Sequence, residues 1–361
     1  MKLKCFTRFI SSLLFFLSAP FAIAQVTDEV NSLMSDSAAP FISSNKIPGV
    51  AIAIYFQGQD YYFNYGVADT KKNTPVTQDT IFELASITKV FVSTLLAVQV
   101  QAGKMSLSDP VVRYLPRLAH TKGLPIDQVT VTELATHTAS FPRQMEQFGV
   151  ARSDIASFIN RLKAWKPEVP VGTQYKYSNI GFGFLGLVLE RATGVSLPVL
   201  VQQKITTPLA MQNTYFDVPQ DKSFMAAQGY RPNNIMAPPY VAANLLGGGA
   251  LRSSSADLLL FMKANLGIKT ARTSPALLSA MQLAQQPYFE VKPKFAMGLG
   301  WQRIKRGKEL LITKNGRNQG FNTFIGFSPE RKLGVVVLTN NTHGKASLLG
   351  NKILNGLLAL Q

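Results

Sequence analysis

The apolar residues at the start of the chain are spaced first like a helix and then like strands. Residues 26–44 have the three- and four-residue spacing of an amphipathic helix. Two strand-like runs follow at residues 50–56 and 61–67, and the polar segment 57–60 between them predicts a hairpin. The first part of the chain therefore predicts a helix followed by two antiparallel strands.

Four more strand-like runs lie near the end of the chain, separated by turn residues. They occupy residues 298–304, 310–313, 321–328 and 333–339. A final amphipathic stretch, residues 346–360, predicts a helix that covers one face of the resulting antiparallel sheet.

Between these two regions the pattern is mostly helical. The clearest helix begins at Ser86 and ends at Gly103, with apolar residues recurring at three and four. Other helices are predicted at residues 129–136, 153–163, 185–191 and 256–266. The fold class predicted is α/β, an antiparallel sheet flanked by helices with an inserted all-helical region.

No linker rich in Pro, Ser or Gly divides the chain. We expect one catalytic unit over residues 25–361. Its α/β region would combine residues 25–85 with 290–361, and its helical region would span 86–289.

The first 24 residues differ from the rest and predict a secretory signal peptide cleaved before Gln25. They carry basic residues, then an apolar run too short to remain in a bilayer, then Ala-Ile-Ala. The single cysteine, Cys5, precedes the apolar run and so cannot be the lipid-bearing first residue of a lipoprotein. We expect a periplasmic monomer without a stable membrane anchor, held together by its hydrophobic core.

Composition excludes several function classes. The chain has 37 Lys and Arg against 20 Asp and Glu, but the basic residues are dispersed rather than clustered, which argues against nucleic acid and for anionic substrates. The histidines His120, His137 and His343 lie far apart, so no metal site is predicted. The sequence also lacks a glycine-rich phosphate loop and a Gly-x-Ser-x-Gly elbow, and no cofactor is expected.

A polar pair, Ser86 and Lys89, lies at the start of the clearest helix. Residues at i and i+3 are neighbours on a helix surface, and a buried lysine has a lowered pKa that suits a general base. An adjacent base is what a serine hydroxyl needs in order to attack. Taken alone, the pair is more typical of a serine cap and a lysine that reaches water, because Ser43 and Lys46 repeat the spacing with nothing around them.

A second candidate motif is the pair Tyr177 and Asn179. Nearby ammonium groups stabilise a phenolate, so Tyr177 could shuttle the serine's proton. The Asn179 amide offers donors and an acceptor to a substrate amide and to the lysine. The alternative is a surface turn, and Tyr62 with Asn64 shows the same spacing elsewhere.

The third motif is Lys314-Asn315-Gly316, at the end of an apolar run. A lysine facing a cleft attracts a carboxylate, and a glycine lets a ligand approach the backbone closely. The alternative is a hairpin turn, because Asn-Gly is the strongest short turn signal.

Taken together and in this order, the three motifs resemble those of the penicillin-recognising serine hydrolases, and within them the class C β-lactamases and related D,D-peptidases. The segments that carry the resemblance are FELASITK (82–89), LATHT (134–138), YSN (177–179), GLGW (298–301), KNG (314–316), GF (320–321) and TN (339–340). Tyrosine in place of the Ser of the class A Ser-Asp-Asn motif favours class C chemistry.

The resemblance implies a role for each candidate residue. Ser86 would be the acylated nucleophile, and Lys89 with Tyr177 would manage its proton. Asn179 would bind the substrate's side-chain amide, and Gln144 falls where the family has a glutamine that lines the substrate cleft. The implied carboxylate and oxyanion contacts come from the third motif and the residue after it: Lys314, Asn315, Gly316 and the backbone N–H of Arg317, with that of Ser86.

The sequence departs from the family pattern at three places. Asn315 stands where the family usually has threonine. Three glycines, 247–249, stand where class C enzymes carry a tyrosine, as in the peptidase and esterase branches. The usual carboxylate-pocket arginine after Asn340 is missing, and our hypothesis is that Arg317 supplies that cation.

Four functions are compatible with these residues. The first is a class C serine β-lactamase, and the second a D,D-carboxypeptidase or endopeptidase acting on peptidoglycan. The others are an esterase of the same superfamily and a non-enzymatic penicillin-binding sensor. The substrate partner would be a β-lactam or a D-alanyl peptide, and the sequence does not distinguish penicillin from cephalosporin preference.

Overall fold

A nine-stranded antiparallel sheet forms the centre of the computed structural model. The model describes residues 11–118, 123–151, 154–241, 245–270 and 272–361, with the backbone alone for residues 11–24. Residues 1–10 of the predicted signal peptide, which include Cys5, and His120 therefore lie outside what the structure describes.

The strands come from both ends of the sequence. In chain order they are β1 (Gly49–Phe56), β2 (Gln59–Asp69), β3 (Thr74–Pro75), β4 (Phe82–Glu83), β5 (Arg252–Ser253), β6 (Phe289–Lys292), β7 (Phe295–Met297), β8 (Gln302–Arg306), β9 (Glu309–Arg317), β10 (Asn322–Ser328) and β11 (Leu333–Thr339). The sheet order is β3-β2-β1-β11-β10-β9-β8-β7-β6, and β4 with β5 form a separate pair. The early strand β1 thus pairs directly with the last strand β11.

Helices cover both faces of the sheet. They are α1 (Ser11–Ser44), α2 (Thr88–Gln101), α3 (Val131–Thr136), α4 (Ile155–Ala164), α5 (Asn179–Thr193), α6 (Leu197–Val201), α7 (Ser255–Asn265), α8 (Pro275–Ala284) and α9 (Ala346–Ala359). Alternate β1 residues such as Ile52 and Ala53 belong to two separate apolar clusters, one shared with α1 and α9 and the other with the inserted helices. Because both faces are buried, every residue of β1 is buried. The predicted α/β class is confirmed.

Several predicted boundaries are wrong for local reasons. The hairpin loop is the two-residue turn Gln57-Gly58, both with positive φ, as two-residue hairpin turns require. The strand predicted over 298–304 begins only at Gln302, as β8, and the preceding strand β7 ends at Met297. The linker between them contains Gly300 at φ 71°, a conformation that interrupts a strand.

Helix α5 is longer than predicted, and α8 and β6 were not predicted. Three glycines inside α5 weaken its local helix preference, but buried packing maintains the helix. Among the described residues no single helix has the length and apolarity to cross a membrane. One pair bent by 81°, Asn179–Thr193 with Leu197–Thr206, meets the criteria by length and composition alone.

Candidate active site

Ser86 lies in a tight turn directly before α2. The turn is the 3-10 segment Ala85–Ile87, and Ala85 has φ 48°, a left-handed conformation that costs an L residue about 1 kcal/mol. The Thr88 hydroxyl fixes this turn by donating to the Ala85 carbonyl at 2.7 Å and accepting from the Leu251 N–H at 3.0 Å. Ser86 is therefore held at the N-terminal end of α2, where the helix dipole favours developing negative charge.

Lys89 is completely buried one turn further along. Its Nζ lies 3.1 Å from Ser86 Oγ and 2.9 Å from Asn179 Oδ1, and it also donates to the carbonyl of Gly248. Desolvation, reinforced by the positive charge of Arg143, holds the pKa of the Lys89 amine well below its usual value. This environment favours a neutral amine, the form that can accept a proton.

Tyr177 is positioned by the start of α5. Ser178 is the N-cap residue of that helix: its hydroxyl accepts from the Gly181 N–H at 2.9 Å and donates to the Pro142 carbonyl at 2.7 Å. The residue before this cap is Tyr177, whose hydroxyl donates to Ser86 Oγ at 2.6 Å. The alternative of a surface turn is therefore wrong for this motif.

Asn179 is the first residue of α5 and faces both the lysine and the cleft. Its Oδ1 accepts from Lys89, so its amide nitrogen remains available as a donor. Gln144, Tyr240, Leu245 and Gly248 line a small pocket with Asn179. The structure thus brings Gln144 and Asn179 together, as the sequence predicts.

Lys314 enters the same site from β9. Its side chain is only 2% exposed, its Nζ lies 5.5 Å from the centre of the Tyr177 ring, and it has no carboxylate partner in the described part of the chain. Burial lowers the pKa of Lys314 to about 8, the charge of Tyr177 raises it and that of Lys89 lowers it further. An unpaired, buried ammonium beside the nucleophile is a site for an anion.

The Asn-Gly of the third motif lies inside β9 and does not form a turn. Asn315 pairs with Phe324 and Gly316 with Thr323 of β10, so the hairpin-turn alternative is wrong. Asn315 and Arg317 alternate with buried neighbours and are exposed. Arg317 is therefore free of the core, and its role towards a substrate carboxylate stays a proposal.

Gly316 allows β9 to approach the nucleophile turn. A Cβ at this position would meet the Leu84 carbonyl oxygen at 2.1 Å, the Thr323 hydroxyl at 2.4 Å and the Ser86 nitrogen at 3.0 Å. Only glycine therefore brings the β9 backbone beside the Ser86 N–H.

We expect Gly316→Ala to push β9 away from Ser86. Displacing an oxyanion-binding backbone lowers kcat by about 10²- to 10³-fold. Steady-state hydrolysis of a chromogenic cephalosporin measures the loss. Gly181→Ala is the control, since a Cβ there meets nothing closer than 3.6 Å. Equal kcat in the Gly316 variant and wild type would contradict this role.

The glycine run 247–249 packs tightly behind Lys89. A Cβ on Gly247 would meet the Phe182 carbonyl oxygen at 2.5 Å, and one on Gly248 the Asn179 carbonyl oxygen at 3.0 Å. The close approach lets the Gly248 carbonyl accept from Lys89. These glycines are therefore needed for packing against α5.

Two residues beside Tyr177 were missed by sequence reasoning. His137 is buried with its ring centre 4.3 Å from that of Tyr177, and its Nδ1 accepts from the Ser178 N–H at 3.1 Å. Burial, then the charges of Lys314 and Lys89, hold the pKa of His137 well below its usual value, so the imidazole is neutral. In the sequence, only its position inside the LATHT segment indicated that His137 could belong to the site.

The second missed residue is Arg143, whose guanidinium carbon lies 5.3 Å from the centre of the Tyr177 ring. Arg143 directly precedes Gln144, and in the sequence only this neighbour indicated that Arg143 could lie at the cleft. Of the described residues, no group of three or more His, Cys, Asp or Glu side chains is arranged to hold a metal ion.

Comparison with known proteins agrees with this geometry. A family model described as β-lactamase matches residues 29–359. A β-lactamase of Escherichia coli (strain K12) is 29% identical over 349 residues, covering 87% of this chain and 90% of the relative. A solved class C β-lactamase superposes with a TM-score of 0.83 at 27% identity, covering 92% of this chain and 96% of the other.

A further solved structure carries a different name. A D-alanine carboxypeptidase from Burkholderia cenocepacia superposes with a TM-score of 0.82 at 28% identity and covers 93% of this chain and all of its own. Fold and sequence thus connect this chain to class C β-lactamases and to a D-alanine carboxypeptidase of the same fold. Since the family model spans nearly the whole described chain, this protein belongs to the β-lactamase family.

Proposed function

We propose that the protein hydrolyses the β-lactam amide through an acyl-enzyme on Ser86. The observation that supports this most directly is the position of Ser86 Oγ, 2.6 Å from Tyr177 Oη and 3.1 Å from Lys89 Nζ. The unpaired Lys314 beside them provides a site for the carboxylate that penicillins and cephalosporins carry.

The hydrogen bonds around Ser86 support a path for its proton. A neutral Lys89 amine has two hydrogens, and Asn179 Oδ1 and the Gly248 carbonyl accept them. Its lone pair then faces the Ser86 hydroxyl, while the Tyr177 hydroxyl donates to the same oxygen. Lys89 is therefore the base, and Tyr177 is placed to return a proton.

The reaction proceeds by acylation and hydrolysis. Ser86 Oγ bonds to the lactam carbonyl carbon as its proton moves to Lys89, and the backbone N–H groups of Ser86 and Arg317 would bind the oxyanion. The ring C–N bond then breaks and its nitrogen takes a proton from Tyr177, which Lys89 reprotonates. Water attacks the ester and releases Ser86.

Turnover of nitrocefin by the purified protein tests this proposal. We expect steady hydrolysis, together with a transient mass increase on the peptide that contains Ser86. No turnover and no adduct with any penicillin or cephalosporin would reject the lactamase proposal. Hydrolysis of a short-chain nitrophenyl ester alone would indicate an esterase.

A D,D-peptidase is the second candidate. The glycine run 247–249 favours it, because it stands where class C enzymes carry a tyrosine, and a structural neighbour is named a D-alanine carboxypeptidase. A long-lived adduct on Ser86 with release of D-alanine from a muropeptide would establish it. An adduct without any turnover would indicate a sensor.

We expect substrate binding to weaken as the pH rises through about 8. Lys314 has a lowered pKa of about 8 in the free protein, so above that pH the amine loses the charge that attracts a carboxylate. The KM of a penicillin should rise between pH 7 and pH 9.5. The KM of an uncharged nitrophenyl ester, measured in the same buffers, should stay level. If KM changes with pH in the same way for the penicillin and the ester, Lys314 does not bind the substrate carboxylate.

We also propose that residues 1–24 direct export and that residues 25–361 act as one catalytic unit in the periplasm. The basic and apolar residues of that segment support export. The mass of protein recovered from a periplasmic extract tests the cleavage site, with Gln25 expected as the first residue.

A further inference from the structure

Arg143 is a cation in the candidate active site to which no role has been assigned. Its side chain is exposed, and its guanidinium carbon lies 5.3 Å from the centre of the Tyr177 ring. No carboxylate among the described residues pairs with it. An arginine with a free guanidinium fork beside a cleft is suited to bind a carboxylate with two parallel hydrogen bonds.

The backbone contacts of Arg143 place it on the acyl side of the cleft. Its carbonyl accepts from the Asn179 N–H at 3.0 Å, and the next residue, Gln144, lines the pocket formed with Asn179 and Tyr240. Asn179 is proposed to bind the substrate's side-chain amide, and Gln144 lines the same pocket. Arg143 therefore lies where the substituent beyond that amide would project.

The other cations of the cleft come from a different element. Lys314 and Arg317 belong to β9, where they are proposed to bind the carboxylate on the lactam ring. Lys314 approaches the Tyr177 ring from β9, and Arg143 approaches it from the loop after α3. The cations beside Tyr177 thus come from two elements of the chain, and those proposed to bind the ring carboxylate belong to β9.

The charge of Glu83 is balanced by groups other than Arg143. Glu83, which is close to the nucleophile turn, accepts from the Tyr240 N–H at 2.9 Å and from the Asn318 amide at 2.6 Å, and lies 3.6 Å from Arg252. Its charge is already engaged with those groups.

We propose that Arg143 is a specificity-determining residue that binds a second carboxylate, carried on the acyl side of the substrate. This inference rests on the proposed function, since it assumes that Asn179 receives the acyl amide. Two sources have this chemistry: a penicillin with a carboxylate on its acyl side chain, and a D-alanyl peptide with a carboxylate on the residue before D-alanyl-D-alanine.

Carbenicillin and benzylpenicillin make a matched pair of probes, because they differ by one carboxylate on the acyl side chain. We measure kcat/KM for both, or the rate of Ser86 acylation if turnover is slow. Arg143→Gln should lower the ratio of the carbenicillin to the benzylpenicillin value by about twofold to fivefold, the size expected for an exposed charge pair. Arg143→Lys should restore part of the ratio.

Arg317→Ala is the matched variant for the opposite end of the cleft. Both penicillins carry the ring carboxylate, so this change should raise both KM values and leave their ratio near the wild-type value. If Arg143→Gln slows both penicillins equally, Arg143 contributes only to the general potential or structure of the site, and the proposal is wrong.

A second arm uses two D-alanyl-D-alanine peptides whose preceding residue carries a carboxylate or the corresponding amide. If Arg143→Gln loses the preference for the extra carboxylate only with the peptides, the site is assigned to peptidoglycan. If it loses that preference only with the penicillins, the site is assigned to lactams. The inference is wrong if both wild type and Arg143→Gln are acylated equally fast by the probes with and without the second carboxylate. Absence of acylation by every probe would instead reject the proposed function.

Discussion

Lys89→Met is expected to slow acylation of Ser86 by about 10²- to 10⁴-fold, the contribution of a positioned general base. Methionine matches the buried volume of the lysine stem, but it offers no lone pair to the Ser86 hydroxyl. Because Lys89 is buried and has no carboxylate partner among the residues that the structure describes, its replacement removes a base and no ion pair that the structure shows. Stopped-flow acylation by nitrocefin, followed by mass of the adduct, measures the effect.

The chain provides its own control for this variant. Lys46 repeats the Ser-x-x-Lys spacing with Ser43, but it is exposed beyond the end of α1. Lys46→Met should retain acylation within about twofold, as exposed substitutions away from a site do. Acylation by the Lys89 variant at the wild-type rate would show that Tyr177 alone removes the proton.

Tyr177→Phe is expected to lower lactam hydrolysis by about 10²- to 10⁴-fold. The ring stays among its cationic neighbours, but the hydroxyl that donates to Ser86 Oγ at 2.6 Å is lost. Since that hydroxyl is proposed to protonate the departing lactam nitrogen, substrates differ in their need for it. A nitrophenyl ester, whose leaving group departs as an anion, should be affected much less.

Comparing hydrolysis of nitrocefin with that of a nitrophenyl ester therefore distinguishes the role of Lys89 from that of Tyr177. Lys89→Met should slow both substrates alike, whereas Tyr177→Phe should slow the lactam selectively. Tyr62→Phe is the control, since Tyr62 shares the Tyr-x-Asn spacing but lies on β2. Equal losses on ester and lactam in Tyr177→Phe would argue that Tyr177 acts on Ser86 and not on the leaving group.

Much of the fold could be predicted because apolar periodicity survives in the sequence. The strands over 50–56 and 333–339 are nearly continuous apolar runs, and both match the observed β1 and β11. Periodicity was less informative where glycines have a packing role. Gly183 inside α5 lies so close to Leu245 that a Cβ would come within 2.6 Å, a tertiary reason that no local pattern contains.

The candidate site was predictable only where residues belong to a motif. Ser86, Lys89, Tyr177 and Lys314 follow from three motifs, and the structure brings them together around one hydroxyl. His137 and Arg143 contact Tyr177 from the loops around α3, and their spacing indicates nothing about that contact. Side-chain direction in a loop depends on tertiary packing, so it could not be inferred from the sequence.

The pairing of β1 with β11 determines when the protein can fold to its active form. The register joins Val50 to Thr339, so a central ladder of the sheet closes a loop of almost the whole chain. Contacts so distant in sequence are entropically costly to form early and slow folding. Ser86 is synthesised long before β9, which must lie beside it. We therefore infer that newly made chains remain inactive until their final strands have emerged and joined the sheet.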